Sequence, residues 1–195
     1  MEIFLHNFNF IWFNSALALI AVLFGWLMVK AHSKFARTLC GFVWFIFLPN
    51  TIYILTDIAH LFEDWPKVNN LFRLILIVQY TLFSVVGIIT FVIAVYFFQK
   101  LLQGRSKKGI RQTTIIAIFI LNFIVGFAVV LGGIERTSSW HIFTNPSRVL
   151  EDSLDLLYSQ ELLMLSLGVG VFANLTYFIM SETVVTWVPK AFLRK

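Results

Sequence analysis

Asp57, His60 and Asp64 stand in the stretch FLPNTIYILTDIAHLFEDWP, residues 47–66, with the spacing D-x-x-H-x-x-x-D. On a helix that spacing projects two carboxylates and an imidazole from successive turns along one side. Such a donor set suits a divalent metal ion. A histidine beside an aspartate can equally serve as a general acid or base, because the carboxylate favours the charged imidazole and burial opposes it. Asn50 and Tyr53 continue the series at intervals of three and four. From Asn50 to Asp64 the polar edge would run about 21 Å along a helix axis. Pro49 precedes it and has no N–H for the carbonyl of Phe45, so a kink is expected beside Asn50. The bland alternative is a hydrogen-bonded edge that pins one helix to its neighbours.

A second polar stretch, LGGIERTSSWHIFTNPSRVLED, covers residues 131–152. Gly132 and Gly133 allow a turn or a close approach, and Glu135, Arg136, Ser138, Ser139 and His141 supply donors and acceptors. Arg136 can clamp a phosphate or carboxylate, or pair with Asp57 or Asp64. Trp140 fits an interfacial anchor. His6, Asn7, Asn9 and Asn14 come from the first apolar segment, where Asn7 and Asn14 share a helix face. His6, His60 and His141 fall on one side of the topology argued below, while His32 falls on the other.

The elements that must carry these residues follow from composition. Of the 195 residues 59% are hydrophobic and only 13% charged, with 22 Phe, 6 Trp and 5 Tyr, and the mean hydropathy is +0.85. An ordinary soluble domain is about a quarter charged, so that class is excluded. Five apolar segments, roughly 9–29, 36–57, 72–98, 114–133 and 157–181, each approach or exceed the ~20 residues that cross a bilayer as a helix. Runs such as LILIVQYTLFSVVGIITFVIAVYFF are continuous where barrel strands would alternate. The expected fold is therefore an all-α polytopic membrane bundle of about five transmembrane helices in one domain, residues 1–195.

Charge sets the expected orientation. Eleven of the fifteen Lys and Arg lie on the links after helices one and three and on the carboxyl-terminal tail, and nine of the ten acids lie on the opposite side. The positive-inside rule then places the amino terminus outside and the carboxyl terminus in the cytoplasm. Glu2 and the basic residues after the first segment argue against a cleaved signal peptide. Net charge of +5 reflects this topology and attraction to anionic headgroups, so membrane lipid is the expected partner and nucleic acid is not. Cys40 is alone, which excludes a disulfide framework and a CxxC metal pattern. There is no internal repeat. No Asp, Glu, Lys or Arg falls near the middle of a span, where Gln79, Asn122 and Ser166 are the strongest polar groups, and this counts against a proton-coupled transporter. An amide and a carboxylate turned to lipid would cost several kcal/mol, so the edge from Asn50 to Asp64 is expected to face the bundle or a wet cavity.

The two polar stretches also carry a resemblance. LPNTIYILTDIAHL resembles the PNAPYIVTDLIHL signature of the prokaryotic integral membrane family catalogued as domain of unknown function 1361. LGGIERTSSWHIFTNP is similar to that family's LGRFLRWNSWDVLTNP, and WFNSALALI to its WNLFLAWIP. Matching positions are Asn14, Pro49, Asn50, Tyr53, Thr56, Asp57, His60 and Leu61, then Gly132, Arg136, Ser139, Trp140, Asn145 and Pro146. The sequence departs at Ile52, Gly133, Ser138 and His141, where the family has proline, arginine, asparagine and aspartate. The resemblance implies a multi-pass prokaryotic membrane protein and names no reaction.

Three functions fit these residues. The first is an envelope-side enzyme or binding protein in which Asp57 and His60 are catalytic, Asp57, His60 and Asp64 hold a divalent metal, and Asn50, Tyr53, Asp64, Arg136, Trp140 and His141 bind a headgroup-sized ligand. The second is a membrane scaffold or assembly protein without catalysis, in which Gly168, Gly170 and Ala173 let a partner helix or a second copy approach. A channel or transporter stands behind both, since one five-helix subunit would need to oligomerise to form a pore.

Overall fold

The computed structural model describes residues 2–56, 59–104, 110–134 and 141–187, and for residues 2–10, 55, 56, 59, 60, 63 and 187 it describes only the backbone. Every regular element among them is helical. They run α1 (Glu2–Lys30), α2 (Lys34–Phe47), α3 (Pro49–Thr56), α4 (Ala59–Asp64), a 3-10 turn at Trp65–Lys67, α5 (Asn70–Gln103), α6 (Gln112–Gly133), α7 (His141–Thr144), α8 (Pro146–Tyr158) and α9 (Gln160–Trp187). Five stretches are long and apolar enough to cross a membrane: Ile11–Lys30, Lys34–Ile54, Asn70–Gln103, Gln112–Gly133 and Gln160–Thr186.

Local chemistry sets where these helices start and stop. Ser33 is extended and its Oγ accepts from the Ala36 N–H at 3.1 Å, capping α2. Asn69 does the same for α5 through the Phe72 N–H at 3.2 Å, and Gly104 closes it with φ of 59° and ψ of −134°, a backbone conformation open to glycine. With 34 residues α5 is about 50 Å long, well beyond the roughly 30 Å of a hydrocarbon layer, so it must tilt or project. The second apolar segment is not one helix. It breaks at Leu48, because Pro49 has no N–H to continue the ladder and its ring crowds the preceding turn. The polar residues at 146–158 form a helix of their own, started by Asn145 and Pro146.

Two close helix approaches organise the core. Trp44 donates its indole N–H to the Ala94 carbonyl at 3.1 Å and stacks on Phe98 with ring centroids 5.2 Å apart. Gly25 of α1 leaves room for that indole, since a Cβ there would lie 3.0 Å from Trp44 Cδ1. On the other side α6 meets α9 backbone to backbone: a Cβ on Gly126 would come within 2.5 Å of the Gly170 nitrogen and the Ser166 carbonyl oxygen. Thr51, Leu48, Ile52, Phe91, Ile118, Asn122 and Ala173 fill the space between, all fully buried.

Candidate functional site

The break at Leu48 is also where the conspicuous polar residues begin. Leu48 N–H still closes on the Trp44 carbonyl at 2.8 Å, but the Thr51 N–H bonds the Leu48 carbonyl at 3.1 Å, one residue tighter than the α pattern. Two side chains add bonds within this turn. Asn50 Nδ2 donates to the Phe47 carbonyl at 3.2 Å, and Thr51 Oγ1 donates to the Leu48 carbonyl at 2.7 Å. The Phe47 carbonyl, which the Thr51 N–H has left for Leu48, thereby regains a donor, and in an apolar layer an unpaired carbonyl costs several kcal/mol.

Beyond the break α3 lies across α5 and α6. Gly87 of α5 admits it, since a Cβ at that position would stand 2.8 Å from Ile54 Cγ2 and 3.0 Å from the Thr51 carbonyl oxygen. Thr51, Ile52 and Ile54 take the buried centre, while Asn50 and Tyr53 are half-buried beside it. Tyr53 reaches the end of α6: its hydroxyl donates to the Gly132 carbonyl at 3.4 Å, and its ring would lie 3.4 Å from a Cβ on Gly133. The α3 segment and the start of the Gly132 stretch therefore occupy the same end of the bundle. Contact between residues 79 apart in the chain joins them.

Further along, Asp64 is half-buried and receives Lys67 Nζ at 2.9 Å, so a cation side chain already stands at this carboxylate. Arg73 donates to the Trp65 carbonyl at 3.2 Å and lies 5.3 Å from the centroid of its ring. His141 opens α7 and is half-buried. Asn14 is half-buried on α1. Asp57, Glu135, Arg136, Ser138, Ser139 and Trp140 lie outside the described residues, and of His60 only the backbone, within α4, is described. Among the described residues no three His, Cys, Asp or Glu side chains converge. The expected metal set of Asp57, His60 and Asp64 includes two side chains outside that group.

Two buried polar contacts elsewhere would not be found from spacing. Asn122 Nδ2 donates to Asn174 Oδ1 at 3.1 Å, and Asn174 Nδ2 donates to the carbonyls of Gly170 at 2.9 Å and Phe119 at 3.4 Å. Tyr177 donates its hydroxyl to Gln99 Oε1 at 2.7 Å. Asn122 is one of the few amides in an apolar run, which marks it as needing a partner; nothing local says that the partner is 52 residues on. Gly170 and Ala173 are spent inside the bundle, whereas a Cβ on Gly168 would meet nothing within 4 Å.

The model of a family described as "Protein of unknown function (DUF1361)" matches residues 13–176. The chain belongs to that family. No curated protein matches the chain, and no solved structure does. The region matched by the DUF1361 model spans the α2–α3 break, the α3–α6 contact and the Asn122–Asn174 pair, and it closes one residue before Tyr177.

Proposed function

We propose that this DUF1361 chain is a multi-pass protein of a prokaryotic cytoplasmic membrane, amino terminus outside, with a ligand- or metal-binding site at the acidic end of the bundle. Asp57 and His60, three residues apart in the sequence, hold a divalent ion or act on a polar headgroup, and Asp64 follows four residues on. Arg136 balances the charge of an anionic ligand, and Asn50, Tyr53, Trp140 and His141 form its surroundings. The Tyr53–Gly132 contact carries this reading, because it draws together the two polar stretches beside a helix break. Broken helices in membranes commonly serve polar ligands.

The test is metal content and metal titration of purified protein in lipid nanodiscs. Asp57→Ala and His60→Ala should each abolish binding of zinc or manganese while the unfolding temperature stays close to wild type. Binding equal to wild type in both variants would overturn the site. A scaffold reading is favoured by a different observation: Asn50, Thr51, Asn122 and Asn174 all hydrogen-bond within the protein. It predicts that Asp57→Asn and His60→Gln lower stability or association and change no binding.

A further inference from the structure

The helix α8 has three kinds of side. At about 100° per residue, Val149 and Leu156 fall together, Leu150, Leu154 and Leu157 fall within about 60° of one another, and Arg148, Glu151, Asp152 and Asp155 fill a third sector roughly opposite the leucines. The first sector packs on the bundle: Leu156 is fully buried with Val130 and Leu131 of α6, and Val149 is half-buried against the same cluster. In the third, Arg148 pairs with Asp152 at 3.4 Å. Leu150, Leu154 and Leu157 are exposed, at 63%, 43% and 53%. A helix on a water-soluble domain needs two sectors, one for the core and one for water. A third, apolar and opposite the charges, needs a second apolar medium.

Depth says which medium. In α7, Phe143 sets its ring edge-on against Phe42, with centroids 6.1 Å apart. Phe42 stands inside the membrane-length stretch Lys34–Ile54, about 18 Å along the chain axis from its acidic end at Ile54. The α7 end of the hairpin is thus level with the apolar layer and not above it. Leu156, at the other end, packs with Val130 and Leu131 in the last turns of α6, and Met164 and Leu165 near the start of α9 are exposed as well.

We infer that α7 and α8 form a wedge that enters the apolar layer from its acidic end, with lipid acyl chains covering the Leu150–Leu154–Leu157 edge and the acidic sector turned to headgroups and water. The inference rests on the membrane reading above and not on the metal site. Single cysteines for spin labelling, placed in a Cys40→Ser chain, test it in vesicles of phosphatidylethanolamine and phosphatidylglycerol. Labels go at 150, 154 and 157, at 151 and 155, and at Ile120, an exposed position of α6. Accessibility to oxygen against a nickel chelate should favour oxygen at 120, 150, 154 and 157 and favour nickel at 151 and 155. Nickel preference at 150, 154 and 157 with oxygen preference at 120 would overturn the wedge and leave the membrane reading standing. Protection of the three leucine positions from both reagents would overturn it in favour of a protein partner or second copy. Nickel preference at 120 would defeat both.

Discussion

The α6–α9 interface and the α3–α6 junction meet on the same helix and are built in opposite ways. At the first, Gly126 and Gly170 remove side chains until backbones touch, and Asn122 and Asn174 bond each other directly. At the second, the helix is broken, the polar side chains bond within their own turn, and the described Tyr53 bond to α6 is long, at 3.4 Å. Hydrophobic burial cannot distinguish the two, because lipid is as apolar as a buried leucine. Close packing and hydrogen bonds between helices are what hold membrane helices together, so the first contact is the anchor and the second is the adjustable one.

The most severe test of that contrast is Gly126→Leu. No side chain can be admitted without separating α6 from α9, and a cost of about 3 kcal/mol or more is expected, seen as a large fall in unfolding temperature in detergent. Wild-type stability would mean that the two helices do not touch. Next come Asn174→Leu and Asn122→Leu. The amide of Asn174 serves three contacts and that of Asn122 one, so losses of about 1.5 and about 0.5 kcal/mol are expected within the range for buried membrane hydrogen bonds. Equal losses would count against the bonding pattern. Pro49→Ala restores an N–H beside the break; stability should change by less than about 1 kcal/mol while metal or ligand binding falls, since the turn carrying Asn50 would be redrawn. Tyr53→Phe should have the smallest effect, below about 0.5 kcal/mol by the same unfolding measurement, because a bond of 3.4 Å is weak. A larger loss would make the α3–α6 junction an anchor as well.

Pro49 announced its break in the sequence because the lesion is covalent: a missing N–H acts on its own turn wherever the helix lies. The polar edge starting at Asn50 was legible as spacing, yet its setting was not. Thr51, Ile52 and Ile54 occupy the centre and leave Asn50 and Tyr53 at the side, and that choice depends on Gly87 of another helix admitting α3. The helix α8 escaped a reading based on long apolar runs, since four charges interrupt its leucines, although Asn145 and Pro146 form a start signal and the leucine spacing is helical.

Composition and apolar run length alone determined that the chain is helical with five membrane-length segments, because an uninterrupted apolar run must close its backbone hydrogen bonds within itself. Which helix lies beside which was decided only by tertiary structure. Asn122 finding Asn174, and Tyr53 finding Gly132, depend on shapes and gaps contributed by residues far away in the chain, and a one-dimensional pattern carries spacing along a helix but no distance between helices.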